Sequence, residues 1–181
     1  FPGASWAHKI WPAANFALLA EHLSSQYGLR ILVCGTVSEY SICELVVQTA
    51  KTSVINLAGK TPLTMMVQLI RQSALVVAND SASVHIAAAV CTPAVCVLGG
   101  GHFGRFLPYS NASQSEAPLP VSVYERMPCY GCRWQCHYPL ASAQAVPCIE
   151  NVSVERVIQA CAQSIAIKAT GGSPFKMEHC E

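Results

Sequence analysis

Four short apolar runs constrain this chain more than anything else in it: LRILVCG (29–35), SVIN (53–56), ALVVAND (74–80) and PAVCVLGGG (93–101). Each is rich in Val, Ile or Leu and stops on glycine or a polar residue, as a strand covered on both faces does. Between them lie segments of helical period. Pro12 opens one, with Phe16, Leu19, Ala20 and Leu23 at helical spacing over 12–26, and Gly28 closes it. Ser38 to Ala50 is a second, with Ser38 as its expected cap. Pro62 to Gln72 is a third, with Leu63, Met66, Val67 and Ile70 on one side; Ser83 to Val90 is a fourth. Parallel neighbours need long crossovers, so this alternation implies an α/β fold, a Rossmann-like doubly wound parallel sheet with right-handed connections.

From about His102 the pattern breaks into a stretch rich in Pro, Ser and Cys, and periodicity returns in VSVERVIQACAQSIAI, 152–167. The expected organisation is one domain over 1–167, with an irregular cysteine-containing insertion at 102–150 and a flexible tail at 168–181. FPGASW reads as a strand end entering a loop, so a fragment of a longer protein is expected.

Composition narrows the partners. The formal charge of +1 gives no broad field for nucleic acid, and any anion must be held locally. No segment approaches the roughly 20 apolar residues of a membrane span. Charged residues make up 12% of the chain, about half the usual share, so much of the surface is neutral or covered, as a missing partner domain would explain; a homo-oligomer is a further partner option, with oligomeric state left open. Ten cysteines are too many to ignore in 181 residues. Cys34, Cys43, Cys91, Cys96 and Cys161 fall inside apolar patterns, where buried thiols in a reducing cytoplasm are the expectation.

In open parallel sheets, ligands bind beyond the carboxyl ends of the strands. That edge carries Ser5 to Lys9, Gly35 to Glu39, Ala58 to Thr61, Asn79 to Ser83 and Gly99 to Arg105. A helix starting near Ser81 presents free backbone N–H groups and a positive dipole end, and the small Ser81, Ala82 and Ser83 admit a phosphate closely. The alternative is that Asp80 or Ser81 is simply an N-cap. Ser5 and Lys9 precede a helix where hydroxyl and ammonium can reach phosphate oxygens. Glu39 suits ribose hydroxyls, or merely satisfies a helix dipole. His85 on an Ala-rich helix is a ligand contact or a hydrogen-bonded core residue. AGKT lacks P-loop spacing, so Lys60 is not a Walker lysine.

Three stretches together, PGASWAHKIWP, INLAGKTPLTMMVQLIRQSALVVANDSASVHIAAAVCTPAVCVLGG and RFLPY, resemble the C-terminal half of glycosyltransferase family 9, the ADP-heptose:lipopolysaccharide heptosyltransferases, over roughly residues 1–160. The resemblance implies a bacterial cytoplasmic enzyme, peripheral at the inner membrane, with the GT-B architecture of two facing Rossmann-like domains. This chain would be the half that binds the nucleotide-sugar donor, ADP-heptose, for inverting transfer of the heptose to a saccharide or protein acceptor. It implies donor phosphate at Lys9 with Ser5 beside it, ribose at Glu39, and an adenine-side turn at Lys60 and Thr61. Asp80 would face the sugar, and Ser81, Ala82 and His85 complete that element, with Ala82 where the family usually has glycine. No catalytic base is expected in this chain, because it belongs to the N-terminal acceptor-binding domain, and no catalytic divalent metal is expected. A nucleotide-sugar epimerase of the same fold and a non-catalytic metal-stapled module are the alternatives.

Cys129, Cys132, Cys136 and Cys148 form a CxxC followed by two further thiols in a loop-rich stretch, a donor set that suits structural zinc or iron. Two disulfides or four ordinary thiols are the other readings. The run resembles the cysteine-held iron finger of autotransporter heptosyltransferases.

Overall fold

Five parallel strands in two sheets account for the apolar runs in the computed structural model, which describes residues 1–109, 119–142 and 144–169. β1 (Ile31–Val33) pairs with β2 (Val54–Asn56), Val33 opposite Asn56. β3 (Val76–Asn79) pairs with β4 (Ala94–Val97), and β4 with β5 (Val121–Val123). The helices are α1 (Ala13–Tyr27), α2 (Tyr40–Thr49), α3 (Leu63–Gln72), α4 (Ala82–Ala89), the short α5 (Pro147–Glu150) and α6 (Val154–Ala169). Gly28, at φ 64°, closes α1 as its sequence position implies.

The side-chain alternation of β4 shows how the sheet is wound. Val95 and Val97 face a core with Phe16 and Leu19 of α1 and Val157 and Cys161 of α6. Ala94 and Cys96 face the opposite core, with Ile70 of α3 and Val84 and Ala87 of α4. Helices therefore cover both faces, and all of β4 is buried. Each buried Val or Ile contributes about 1.5–3 kcal/mol relative to exposure.

Several expectations need correction. Thr36, not Ser38, caps the segment leading into α2: Thr36 and Glu39 form a capping box, and Ser38 only shares a 2.9 Å hydrogen bond with Thr36 Oγ1. The stretch 102–150 is not wholly irregular, since β5 and α5 lie in it; three and four residues respectively are too short to display a period. The closing helix runs to Ala169, so the expected tail begins no earlier than 170, and 170–181 lie outside the described residues. Cys34, Cys43, Cys96 and Cys161 are buried, and burial pushes the Cys43 thiol up to about 11 and Cys161 to about 12. Cys91 departs from this group, being half-buried, disulfide-bonded and at φ 56°. Among the described residues no helix is long and apolar enough to cross a membrane.

Candidate functional site

Because every strand runs the same way, the loops that follow them share one edge. Pairing puts the turn after β2 with Lys60 beside the loop after β1 with Glu39, and the start of α4 beside the glycine loop after β4; the N-terminal loop lies between these pairs, against Glu39 at Gly3 and bonded to Asn79 at Pro2. Connections leave in opposite directions on either side of the N-terminal loop, toward β2 on one side and β4 on the other. This is the topological switch point, where open α/β sheets bind ligands.

One residue assembles the middle of this edge. Asn79, the last of β3, is fully buried; its Oδ1 accepts from Trp11 N (3.1 Å), and its Nδ2 donates to Pro2 O (2.7 Å) and more weakly to Gly3 O (3.4 Å). The loop carrying exposed Ser5 and half-buried Lys9 is thereby tied to the strand that launches α4. From sequence, Asn79 was placed only at the start of an edge loop and not as a clip; its signal was a polar residue ending a strand with nothing nearby in sequence to satisfy it.

Asp80 and Ser81 follow Asn79, both half-buried. Ser81 is the N-cap residue of α4, but its hydroxyl bonds Ser83 Oγ (2.9 Å) instead of a backbone amide. The first-turn N–H groups of α4 are left without a side-chain cap, while Ala82 is exposed. An uncapped helix start favours an anion. The simple N-cap alternative for Ser81 is therefore not what its side chain does.

The other candidates divide. The Glu39 carboxylate, through Oε2, accepts from Thr36 N (2.7 Å) and Thr36 Oγ1 (2.9 Å), as a first-turn carboxylate does. Its other oxygen lies against Gly3, where any Cβ would overlap it, so Glu39 also braces the N-terminal loop. Lys60 is exposed and donates from Nζ back to Asn56 O (3.0 Å), at its own strand end, with Thr61 half-buried beside it. His85 Nδ1 and Tyr109 Oη are hydrogen-bonded at 2.6 Å, which joins two of the stretches quoted above. The structure thus brings Ser5, Lys9, Asp80, Ser81 and Ala82 to the Asn79 clip and Glu39 to the same loop. It does not turn Lys60 or His85 toward them by any hydrogen bond.

The glycine loop after β4 is covered by side chains of the cysteine stretch. A Cβ on Gly99 or Gly101 would overlap Trp134, and one on Gly100 would overlap Tyr130, so the three glycines seat two aromatic rings of the cysteine stretch. Tyr130 Oη donates to Glu125 O (2.6 Å), and burial pushes its ionisation far up, so it serves as a neutral donor. Gly131 N and Arg133 N donate to Gly100 O (2.8 Å) and Gly101 O (2.9 Å). Trp134 also reaches the N-terminal loop: the Lys9 ammonium lies 4.4 Å from its ring centre and Trp6 packs edge-on to it. Val146 N completes the attachment by donating to His8 O (2.9 Å).

Cys129, Cys132, Cys136 and Cys148 line one small apolar pocket with Trp134 and Pro147. Burial raises the Cys148 thiol, the Gly100 N–H opposes that, and the three other thiols add to the rise. Among the described residues, however, no three such donors are arranged to hold a metal ion. The metal expected from the spacing is not supported by this geometry, and packing on the glycines accounts for the fold of the loop.

The chain is similar in sequence and fold to known proteins. The chain is 38% identical over 103 residues to lipooligosaccharide heptosyltransferase 2 of Haemophilus influenzae, covering 54% of this chain and 30% of that protein. It is 28% identical over 162 residues to lipooligosaccharide heptosyltransferase 2 of Campylobacter jejuni, covering 87% and 47%. The solved structure of E. coli ADP-heptose LPS heptosyltransferase II superposes with a TM-score of 0.72 at 21% identity, over 93% of this chain and 46% of that one. The chain thus spans half or less of the length of these relatives. The family pattern described as glycosyltransferase family 9 (heptosyltransferase) matches residues 1–129, short of the 160 expected, which leaves Cys132, Cys136 and Cys148 outside the match. A match over well more than half of the chain, on a fold that the solved structure shares, means that this polypeptide belongs to glycosyltransferase family 9.

Proposed function

We propose that this chain is the donor-binding half of a heptosyltransferase that moves a heptose from ADP-heptose to a saccharide acceptor. The observation that carries the reading is the Asn79 clip, which holds the Lys9 loop beside the uncapped start of α4. A diphosphate at that helix start meets backbone N–H groups and an ammonium together. The relatives' names supply the sugar and the nucleotide, and the site supplies the anion chemistry.

In this reading the acceptor hydroxyl displaces the diphosphate at the anomeric carbon, with its proton taken by a carboxylate from a separate acceptor-binding domain. This chain's contribution is electrostatic. Negative charge grows on the departing diphosphate as the bond breaks, and fixed amides plus Lys9 stabilise that charge without reorganising. Asp80, next to the amides, faces the sugar hydroxyls; Glu39 and the Lys60–Thr61 turn extend the edge toward ribose and base.

Titration calorimetry on the 181-residue protein tests the donor assignment. ADP and ADP-heptose bind, and UDP binds at least tenfold more weakly, a difference of about 1.4 kcal/mol. Equal affinity for UDP, or no binding of any of the three, contradicts it.

A structural metal at Cys129, Cys132, Cys136 and Cys148 is a second proposal, motivated by the spacing of the four cysteines, although the geometry described above does not form a metal site. It requires stoichiometric zinc or iron in protein purified without chelators, and absence of both metals ends it.

A further inference from the structure

Among the described residues the Lys9 ammonium makes no hydrogen bond or ion pair; it lies instead 4.4 Å from the ring centre of Trp134. A cation over an indole face is held by the electron density of the ring, and tryptophan is the strongest of the aromatic partners. Trp134 lies outside residues 1–129, where the family pattern matches.

The chain bears two local costs to place that ring. Arg133 and Trp134 both adopt left-handed backbone, at φ 55° and 66°, a conformation that side chains of their size disfavour. The Trp134 indole N–H is buried without a hydrogen-bond partner, so it is not what fixes the ring. Neighbours do that. Gly101 brings the main chain against the fused bond of the indole, and Arg133 N donates to Gly101 O (2.9 Å). Trp6 and His102 stand edge-on, at 6.1 and 6.2 Å between ring centres. In this pair the ring is walled in, and the flexible lysine stem is the part that can move.

A diphosphate at the start of α4 needs the same ammonium. Two seats for one cation compete, so whatever holds Lys9 on the ring reduces what the diphosphate gains from it. The competition matters most after transfer. The diphosphate of a sugar nucleotide is esterified at both ends, whereas the nucleoside diphosphate that is released carries a further negative charge on its freed phosphate and attracts an ammonium more strongly. A product held too tightly limits turnover.

We propose that Trp134 is a positioning residue for the departing nucleoside diphosphate: it holds Lys9 in a resting position off the phosphates and takes the ammonium back as the product leaves. The inference rests on the donor reading above and adds to it a residue whose contribution is release instead of capture.

The test replaces Trp134 in the 181-residue protein by mono-, di-, tri- and tetrafluorinated tryptophan, introduced at that position alone. Fluorine withdraws charge from the ring face with little change of shape, so the packing on Gly99 and Gly101 is kept, and an unchanged Tm confirms it. Calorimetry with ADP then reads the seat. Affinity tightens stepwise along the series, by about two- to fivefold for the tetrafluoro form, the factor that corresponds to losing a cation–π contact at a partly exposed position. In Lys9→Met the series has no effect, since no cation remains to be released, whereas a packing role for Trp134 would move both backgrounds alike. Proton NMR reads the resting position directly: the indole shifts the Lys9 ε-methylene protons upfield in the free protein, and they return toward ordinary values at saturating ADP. Affinity that weakens along the series, the same trend in Lys9→Met, or ε-methylene protons that ADP does not move overturns the proposal. Failure of ADP to bind the unmodified protein removes the donor reading and this inference together, while binding that ignores the fluorines removes this inference alone.

Discussion

Lys9→Ala, made in an intact transferase containing this domain, lowers heptose transfer by roughly 10²–10³-fold, the range seen when one preorganised group facing developing oxyanion charge is removed. The residue has little else to do. Its ammonium rests over Trp134 at 4.4 Å, an interaction worth about 0.5–1 kcal/mol at a partly exposed position. A diphosphate that accepts a charge-assisted hydrogen bond from it outweighs that contact, because such bonds contribute about 1.5–3 kcal/mol. Lys9 can therefore leave the ring for the donor at small cost, and its loss leaves the melting temperature nearly unchanged. Steady-state rates with ADP-heptose, read beside thermal denaturation, check both halves of this expectation. Asp80→Ala also lowers transfer strongly, since its carboxylate follows directly on the clip. Wild-type rates in both variants would remove the assignment.

Asn79→Leu destabilises the 181-residue protein by about 2–5 kcal/mol. Leucine is of similar size, so the loss comes from polarity. It strands the Trp11 N–H and the Pro2 carbonyl in a fully buried position, at about 1–3 kcal/mol for each unsatisfied group. At roughly 2–4 °C per kcal/mol for a chain of this size, Tm falls by about 4–20 °C. Asn79→Asp keeps the acceptor for Trp11 but loses the donor to Pro2, and it introduces a buried charge, so it does not rescue. A second consequence separates this clip from an ordinary core residue: with the N-terminal loop released, affinity for ADP drops even at temperatures where the variant stays folded. Denaturation scans and calorimetry on one preparation measure both.

Much of the architecture was legible because it is periodic. Four apolar runs became β1 to β4, and the spacing of Phe16, Leu19 and Leu23 placed α1, since a strand buried on both faces and an amphipathic helix each leave a repeating pattern. β5 and α5 were missed because they are too short to repeat anything and sit among prolines. The site was legible only as a set of loops on one edge. Sequence spacing put Lys9 and Asp80 there, but the bond from Trp11 N to Asn79 Oδ1, between residues 68 positions apart, is a tertiary event with no local signature. The glycine triplet shows the same limit: its place on the edge was readable, but the room that its missing side chains make for Tyr130 and Trp134 was not. The bonds by which Glu39 spends one oxygen closing a capping box with Thr36 were equally out of view.

The central claim is about where a diphosphate sits, so the most direct measurement is diffraction from crystals of this protein soaked in ADP-heptose. The account predicts diphosphate density against the backbone N–H groups of Ala82 and Ser83, with Lys9 Nζ moved off Trp134 to within hydrogen-bonding distance of a phosphate oxygen. Nucleotide bound elsewhere, or a helix start that stays closed by its own side chains at saturating donor, would contradict it.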